Sequence, residues 1–249
     1  MKRETGQQMQ DQRLDNDLDA EGAAAAPGRA LTASFANDAM DLAADASDAT
    51  LDALVTSGAL ESIPILGLVS GVYKASRHIP ALLYQRKVAR MLAAAATNSS
   101  PDERKAFTDK VEKSGNAERL GEAVLLMLDK ADEIEKPAII GRLIAAHMRG
   151  VLERSVAFRL CSMVNRAYYG DLKLLCDFAG GAGAPFQTEF GTLAAVGLLD
   201  NDGFDGGYAG STDPMTSGGD LYSFNRYSEA LVRYGFEVEP IPAASRVNM

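Results

Sequence analysis

The stretch SPDERKAFTDKVEKSGNAERLGEAVLLMLDK, residues 100–130, decides the fold. Ser100 supplies a cap oxygen, Pro101 sits where no intrahelical N–H is lost, and Glu103 is placed to return a hydrogen bond to the cap. The helix this starts runs over 101–113 and ends near Gly115. Ser114 or Asn116 opens a second helix over 117–131, where Leu120, Val124, Leu125 and Leu128 recur at helical spacing and face inward.

The same pattern continues downstream. A helix over 133–149 buries Ile134, Ile140, Leu143, Ile144 and His147. One over 152–168 buries Leu152, Val156, Leu160, Met163 and Val164. A shorter one over 170–178 buries Leu172, Leu175 and Phe178. Short-looped amphipathic helices in succession predict a mainly α fold, a helical bundle over 31–178. AGGAGAP (179–185) reads as a hinge. Beyond it lie a helix ending at Gly197, a Gly/Asp-rich loop over 200–220, a short strand in LYSFN and a last helix in RYSEALVRYG. That order predicts a small winged-helix-like module over 186–249. Residues 179–249 carry 3 basic and 9 acidic side chains, which argues against DNA binding there, because phosphate contacts need Lys and Arg.

Upstream, residues 1–30 are polar and then Ala/Gly/Pro-rich, and read as a disordered tail. Residues 31–57 contain no Gly or Pro and predict one helix. Asp38, Asp41, Asp45, Asp48 and Asp52 fall at spacings of 3, 4, 3 and 4, a continuous carboxylate stripe on such a helix. One reading is a solvated outer face, with Ala39, Leu42, Ala43, Ala46, Ala49 and Ala53 inward. The other is a ring of carboxylates from several subunits lining a cation-conducting pore. Gly58 ends the helix.

SIPILGLVSGVY (62–73) follows without a charge. Ile63, Leu66 and Val69 make it apolar, and Gly67, Gly71 and Ala75 clear one helix face for close approach of another backbone. The run is shorter than the roughly 20 residues a span needs, so Ile63–Tyr84 reads either as a buried helix or as a conditionally inserting one with Lys74, Arg77 and His78 in it. Pro80 predicts a kink or break. Arg86, Lys87 and Arg90 come next and can meet anionic headgroups. Arg142, Arg149, Arg154, Arg159 and Arg166 lie on two successive helices, either as solvated surface or as an anion-binding face for a nucleotide, oligonucleotide or lipid.

Charge supports a partner of that kind. The chain has a net charge of −9, yet residues 62–178 carry 18 basic against 13 acidic side chains, between acidic ends. A basic body points to an anionic partner. The start MKRETGQQMQ has no secretory h-region, and Cys161 and Cys176 sit in apolar helical stretches as reduced thiols would. A cytoplasmic protein is expected, inner-membrane-associated on activation. His78 and His147 are isolated, no CxxC or GxSxG occurs, and GGAGAP lacks the Lys-Ser/Thr of a phosphate loop. No cofactor, metal site or enzymatic activity is expected.

Across about 51–178, the segments LVTSGALESIPILGLVSGVYKASRHIPALLYQRKVARML, SPDERKAF, GEAVLLMLDKADEIEKPAIIGRLIAAHMRG and FRLCSMVNRAYYGDLKLLCDF resemble a poorly characterised group of bacterial helical proteins. Members are carried in mobile and antiviral-defence loci. The resemblance implies an abortive-infection-type role. The expectation is an oligomeric, membrane-acting pore or channel-like effector of antiphage defence, gated by an anionic signal such as a nucleotide or oligonucleotide. Its expected partners are further copies of itself, membrane lipid and a protein from the same operon. The alternative expectation is a soluble helical adaptor that binds another protein.

Overall fold

The computed structural model describes residues 26–44, 46–76, 79–179, 187–206 and 219–239. In it the helix start at Ser100 is built as its residues demand. Ser100 Oγ accepts from Glu103 N at 3.3 Å, and Glu103 Oε2 accepts from Ser100 N at 2.8 Å. Among the described residues there are twelve helices and one two-stranded sheet. The helices are α1 Pro27–Ser34, α2 Met40–Ala44, α3 Asp48–Ser57, α4 Pro64–Ser76, α5 Ile79–Thr97, α6 Pro101–Lys113 and α7 Ala117–Lys130. They continue with α8 Lys136–Met148, α9 Arg154–Arg166, α10 Tyr169–Ala179, α11 Gln187–Ala195 and α12 Arg226–Gly235. The protein is mainly α, a helical bundle.

The single helix expected over 31–57 is instead α1, α2 and α3. Local side-chain bonds break it where no Gly or Pro marks a break. Asn37 Oδ1 accepts from Ala39 N at 2.9 Å, and Asn37 Nδ2 donates to Ser62 O at 3.1 Å. Ser47 is extended (φ −64°, ψ 162°) and its side chain accepts from Thr50 N, capping α3. Short polar side chains offer the backbone this alternative to helix. The aspartate stripe is therefore not continuous. Leu42, expected inward, is 51% exposed, and Ala49 and Ala53 are exposed too. Gly58 does close α3, in the left-handed region at φ 81°.

Helix α1 is held by α7. Glu118 on α7 accepts from Gly28 N at 3.2 Å and Arg29 N at 2.9 Å, so a distant carboxylate caps the first turn of α1. Thr32 Oγ1 donates to Ala117 O at 2.8 Å. The two helices touch through glycines: a Cβ on Gly121 would stand 1.9 Å from Gly28 O. α5 and α8 cross as closely, since a Cβ on Gly141 would stand 2.2 Å from Met91 O. Ser34 Oγ then accepts from Ile65 N at 3.0 Å, tying α1 to the first turn of α4.

At the far end, β1 (Leu199–Asp205) pairs antiparallel with β2 (Gly219–Phe224), with an irregularity between Asn201 and Gly203. The expected loop over 200–220 thus starts as a strand. Gly197, at φ 89°, ends the helix before it as expected. α12 returns to the bundle, burying Leu231 and Val232, and Gly235 packs against Ile139 of α8. The hinge expected over 179–185 lies outside the described residues from 180 onward, as does the expected tail over 1–30 up to residue 25. The end of that tail is a correction: Pro27–Ala30 open α1, and Ala30 is buried in the core.

Candidate ligand cavity and apolar corner

The carboxylates expected to line a pore are dispersed. Asp41 meets Arg104 Nη2 at 2.5 Å. Asp52 faces Arg86 Nε at 3.8 Å and Arg90 Nη2 at 3.9 Å, ion pairs too long for hydrogen bonds. Asp38 and Asp48 are exposed, and Asp45 lies outside the described residues. Arg104 is the decisive partner. Only 2% exposed, it donates from Nε to Phe35 O (3.1 Å) and from Nη1 to Ser99 O (2.7 Å). It joins the α1–α2 turn to the α5–α6 turn, a structural duty for both charges.

The apolar segment splits in two. Ile63, Leu66 and Val69 are core residues. Gly67 is needed for close approach, since a Cβ there would lie 2.6 Å from Glu61 O. Gly71 meets nothing within 4 Å, and Ala75 is exposed. On the outer side of α4, Val72 is 56% exposed, and at the start of α5 Ile79 (72%) and Leu83 (45%), one helical turn apart, form an exposed apolar corner. The cations expected to serve it are largely engaged. Lys74 Nζ meets Glu61 at 2.7 Å, and that bond together with Ser70 Oγ holds the Glu61 carboxyl below the usual carboxylate range. Arg86 and Arg90 face Asp52; Lys87 is half-buried; Arg77 lies outside the described residues.

Three of the five arginines proposed as an anion face instead fasten the C-terminal segment. Arg142 Nε meets Glu237 at 2.9 Å, Arg166 Nη2 donates to Val196 O at 3.1 Å, and Arg159 lies over the Tyr227 ring at 5.6 Å. Arg149 is exposed and its field bears on Glu103. Arg154 is different, because it borders a cavity.

That cavity, about 540 Å³, lies between α6, the start of α7 and the α8–α9 turn. Its apolar floor is Phe107, Val111, Leu120, Met148 and Leu152. Lys110, Ser114, Glu153 and Arg154 are exposed lining residues and so form the rim. Gly150 takes φ 75°, a left-handed turn that glycine adopts without strain, and reverses the chain so that Leu152 drops into the floor. The Leu152 carbonyl then faces His147 Nδ1 at 3.0 Å. A carbonyl only accepts, so Nδ1 carries the proton and donates. The imidazole stands edge-on to Phe107, centroids 5.6 Å apart at 83°. Expected in the core, His147 is half-buried instead, with Nε2 making no hydrogen bond to the described residues. No side chain caps α9 where it meets the cavity. A second hollow, beside Asp41 and Arg104, offers less, since that guanidinium is already committed.

Lys110 and His147 were not legible as a pair. Gly150 after an apolar helix was a local sign of a turn, but α6 reaches that turn only through the tertiary fold.

Neither thiol is poised for chemistry. Burial pushes Cys161 up to about 12 and Cys176 up to about 11. No group of three His, Cys, Asp or Glu suited to a metal occurs among the described residues. No described helix is long and apolar enough to cross a membrane. The chain matches no protein-family model, no curated protein and no solved structure.

Proposed function

We propose that this protein is a non-enzymatic, ligand-responsive helical effector, in the antiviral-defence setting that its resemblance implies. The observation that carries the reading is the cavity under Gly150, whose volume lies within the range of small-molecule sites, about 300–1,000 Å³, and whose apolar floor and polar rim suit one. A ligand acts on such a protein by binding one state better than another. The thiols, held protonated by burial, favour binding over nucleophilic catalysis. The winged-helix-like reading of 186–249 has the order α11, β1, β2, α12 in its favour, and we read this module as a further contact surface.

The apolar corner is the output surface. Its exposure favours a membrane-acting form of the reading in which Ile79 and Leu83 enter the headgroup interface, as interfacial segments do, without crossing the bilayer. Flotation of the full chain with phosphatidylglycerol vesicles tests this. Vesicle binding lost in Ile79→Ser/Leu83→Ser supports the membrane form. A chain that stays in the aqueous fraction yet binds one operon-encoded protein through the same corner supports the adaptor form instead. Unchanged membrane potential in cells dying from its activation would remove the pore.

A further inference from the structure

We infer that the cavity takes a small amphiphilic anion: an apolar body of aromatic size carrying one acidic group. This rests on the reading of the cavity as a ligand site and specifies its chemistry.

The floor sets the body. Phe107 and Leu120 are nearly fully buried yet line the cavity, and Met148 is a flexible neighbour beside them. A ring placed there exchanges water for apolar surface at roughly 25 cal/mol per Å², and methionine adapts to irregular apolar shapes.

The rim sets the charge. Lys110 and Arg154 line the opening, and neither forms an ion pair among the described residues. Elsewhere Lys74, Arg104, Lys136, Arg142 and Arg233 are each held by a carboxylate. Arg154 is stacked on Phe158 at 5.4 Å, an arrangement that steadies the guanidinium while leaving its N–H groups available. Among the described residues Glu153 is the one acid on the rim, so two cations outnumber it. A cationic ligand would face both; an anion faces only Glu153.

His147 adds direction. With its Nδ1 proton fixed on the Leu152 carbonyl, the neutral ring offers Nε2 as an acceptor. A hydroxyl or amide N–H on the ligand's body, apart from its ionised group, can donate to it. As imidazolium the same ring donates from both nitrogens. Asn116 and Ser114 contribute less, because Asn116 Nδ2 donates to Ser114 O and Oγ.

The test uses two probes of the same shape, anilinonaphthalene sulfonate and neutral N-phenylnaphthylamine, titrated into the full chain by fluorescence. Tighter binding of the sulfonate, on the order of tenfold, is expected. Lys110→Gln/Arg154→Gln should erase that preference, bringing the sulfonate's affinity down to that of the neutral probe. Both probes also settle on exposed apolar surface, so the site is located independently. The chain has two histidines, and the imidazole resonances of His147, assigned with His147→Gln, should shift on binding. They should shift equally in Ile79→Ser/Leu83→Ser. Equal affinity for the two probes, with His147 shifted, leaves the cavity a ligand site and overturns its anion preference. No shift of His147 with either probe overturns the cavity as a site. Retention of folded circular dichroism in each variant excludes unfolding as the cause.

Discussion

Gly28 and Gly121 meet backbone to backbone: a Cβ on Gly121 would stand 1.9 Å from the Gly28 carbonyl oxygen. The contact seats α1 on α7 and places the first turn of α1 under Glu118. Gly121→Ala should therefore destabilise the fold by about 1–3 kcal/mol, the cost of overpacking outweighing the helical preference for alanine. Gly71→Ala is the paired control. Nothing lies within 4 Å of its Cβ position, so it should raise stability by up to about 1 kcal/mol. Urea midpoints measure both. A destabilising Gly71→Ala would mean that the outer side of α4 packs against another chain.

Arg104 should be the costliest polar residue to replace. Arg104→Met leaves the carbonyls of Phe35 and Ser99 without their donor, and each buried acceptor left unpaired costs about 1–3 kcal/mol. Asp41→Asn removes only an exposed partner and should cost under about 1 kcal/mol. Equal losses from the two variants would show that the ion pair, not the carbonyl bonds, carries the site.

Glu118→Ala should free the first turn of α1 at a cost of about 1 kcal/mol, typical of a lost cap. Hydrogen exchange should rise at Gly28 and Arg29 while α8 stays protected. Unchanged exchange at those two amides would place the cap elsewhere.

Alkaline pH should weaken the fold. Cys161 is pushed from the ordinary 9.0 up to about 12 and Tyr84 from 10.0 up to about 12, both chiefly by burial. The unfolded chain sheds these protons first, so folding holds them more tightly than unfolding does. The resulting stability is fully present below pH 9 and declines as pH rises towards 12. Urea midpoints at pH 8 and pH 10.5 should fall accordingly, and less in Cys161→Ala. Reaction of Cys161 with a disulfide reagent at pH 8 should wait on unfolding.

Ile79→Ser/Leu83→Ser should leave the urea midpoint within about 0.5 kcal/mol, as surface substitutions do, because both side chains are exposed. A large loss of stability would mean that the corner is covered in the working protein.

Local chemistry made much of the fold legible. The capping box at Ser100, the left-handed stop at Gly58 and the helical recurrence of Leu120, Val124 and Leu128 depend on residues within two turns of one another. The same local reasoning joined Asp38 to Asp52 into one stripe, because Asn37 and Ser47 can be helical or can cap, and only their partners decide. Asn37 finds Ser62 O.

The sequence by itself determined a mainly helical chain, its principal helix starts and stops, and most of the apolar positions that form the core. Tertiary structure alone decided which charges are structural and which are available. Arg104 and Asp41 are 63 positions apart, and Arg142 donates across 93 positions to Gly235. It also decided the cavity, where α8 sets His147 edge-on to Phe107 of α6 and the turn at Gly150 returns the Leu152 carbonyl to the His147 ring. Helical periodicity records which side of a helix is apolar; the neighbour that covers that side is chosen by long-range packing, on which a local pattern is silent.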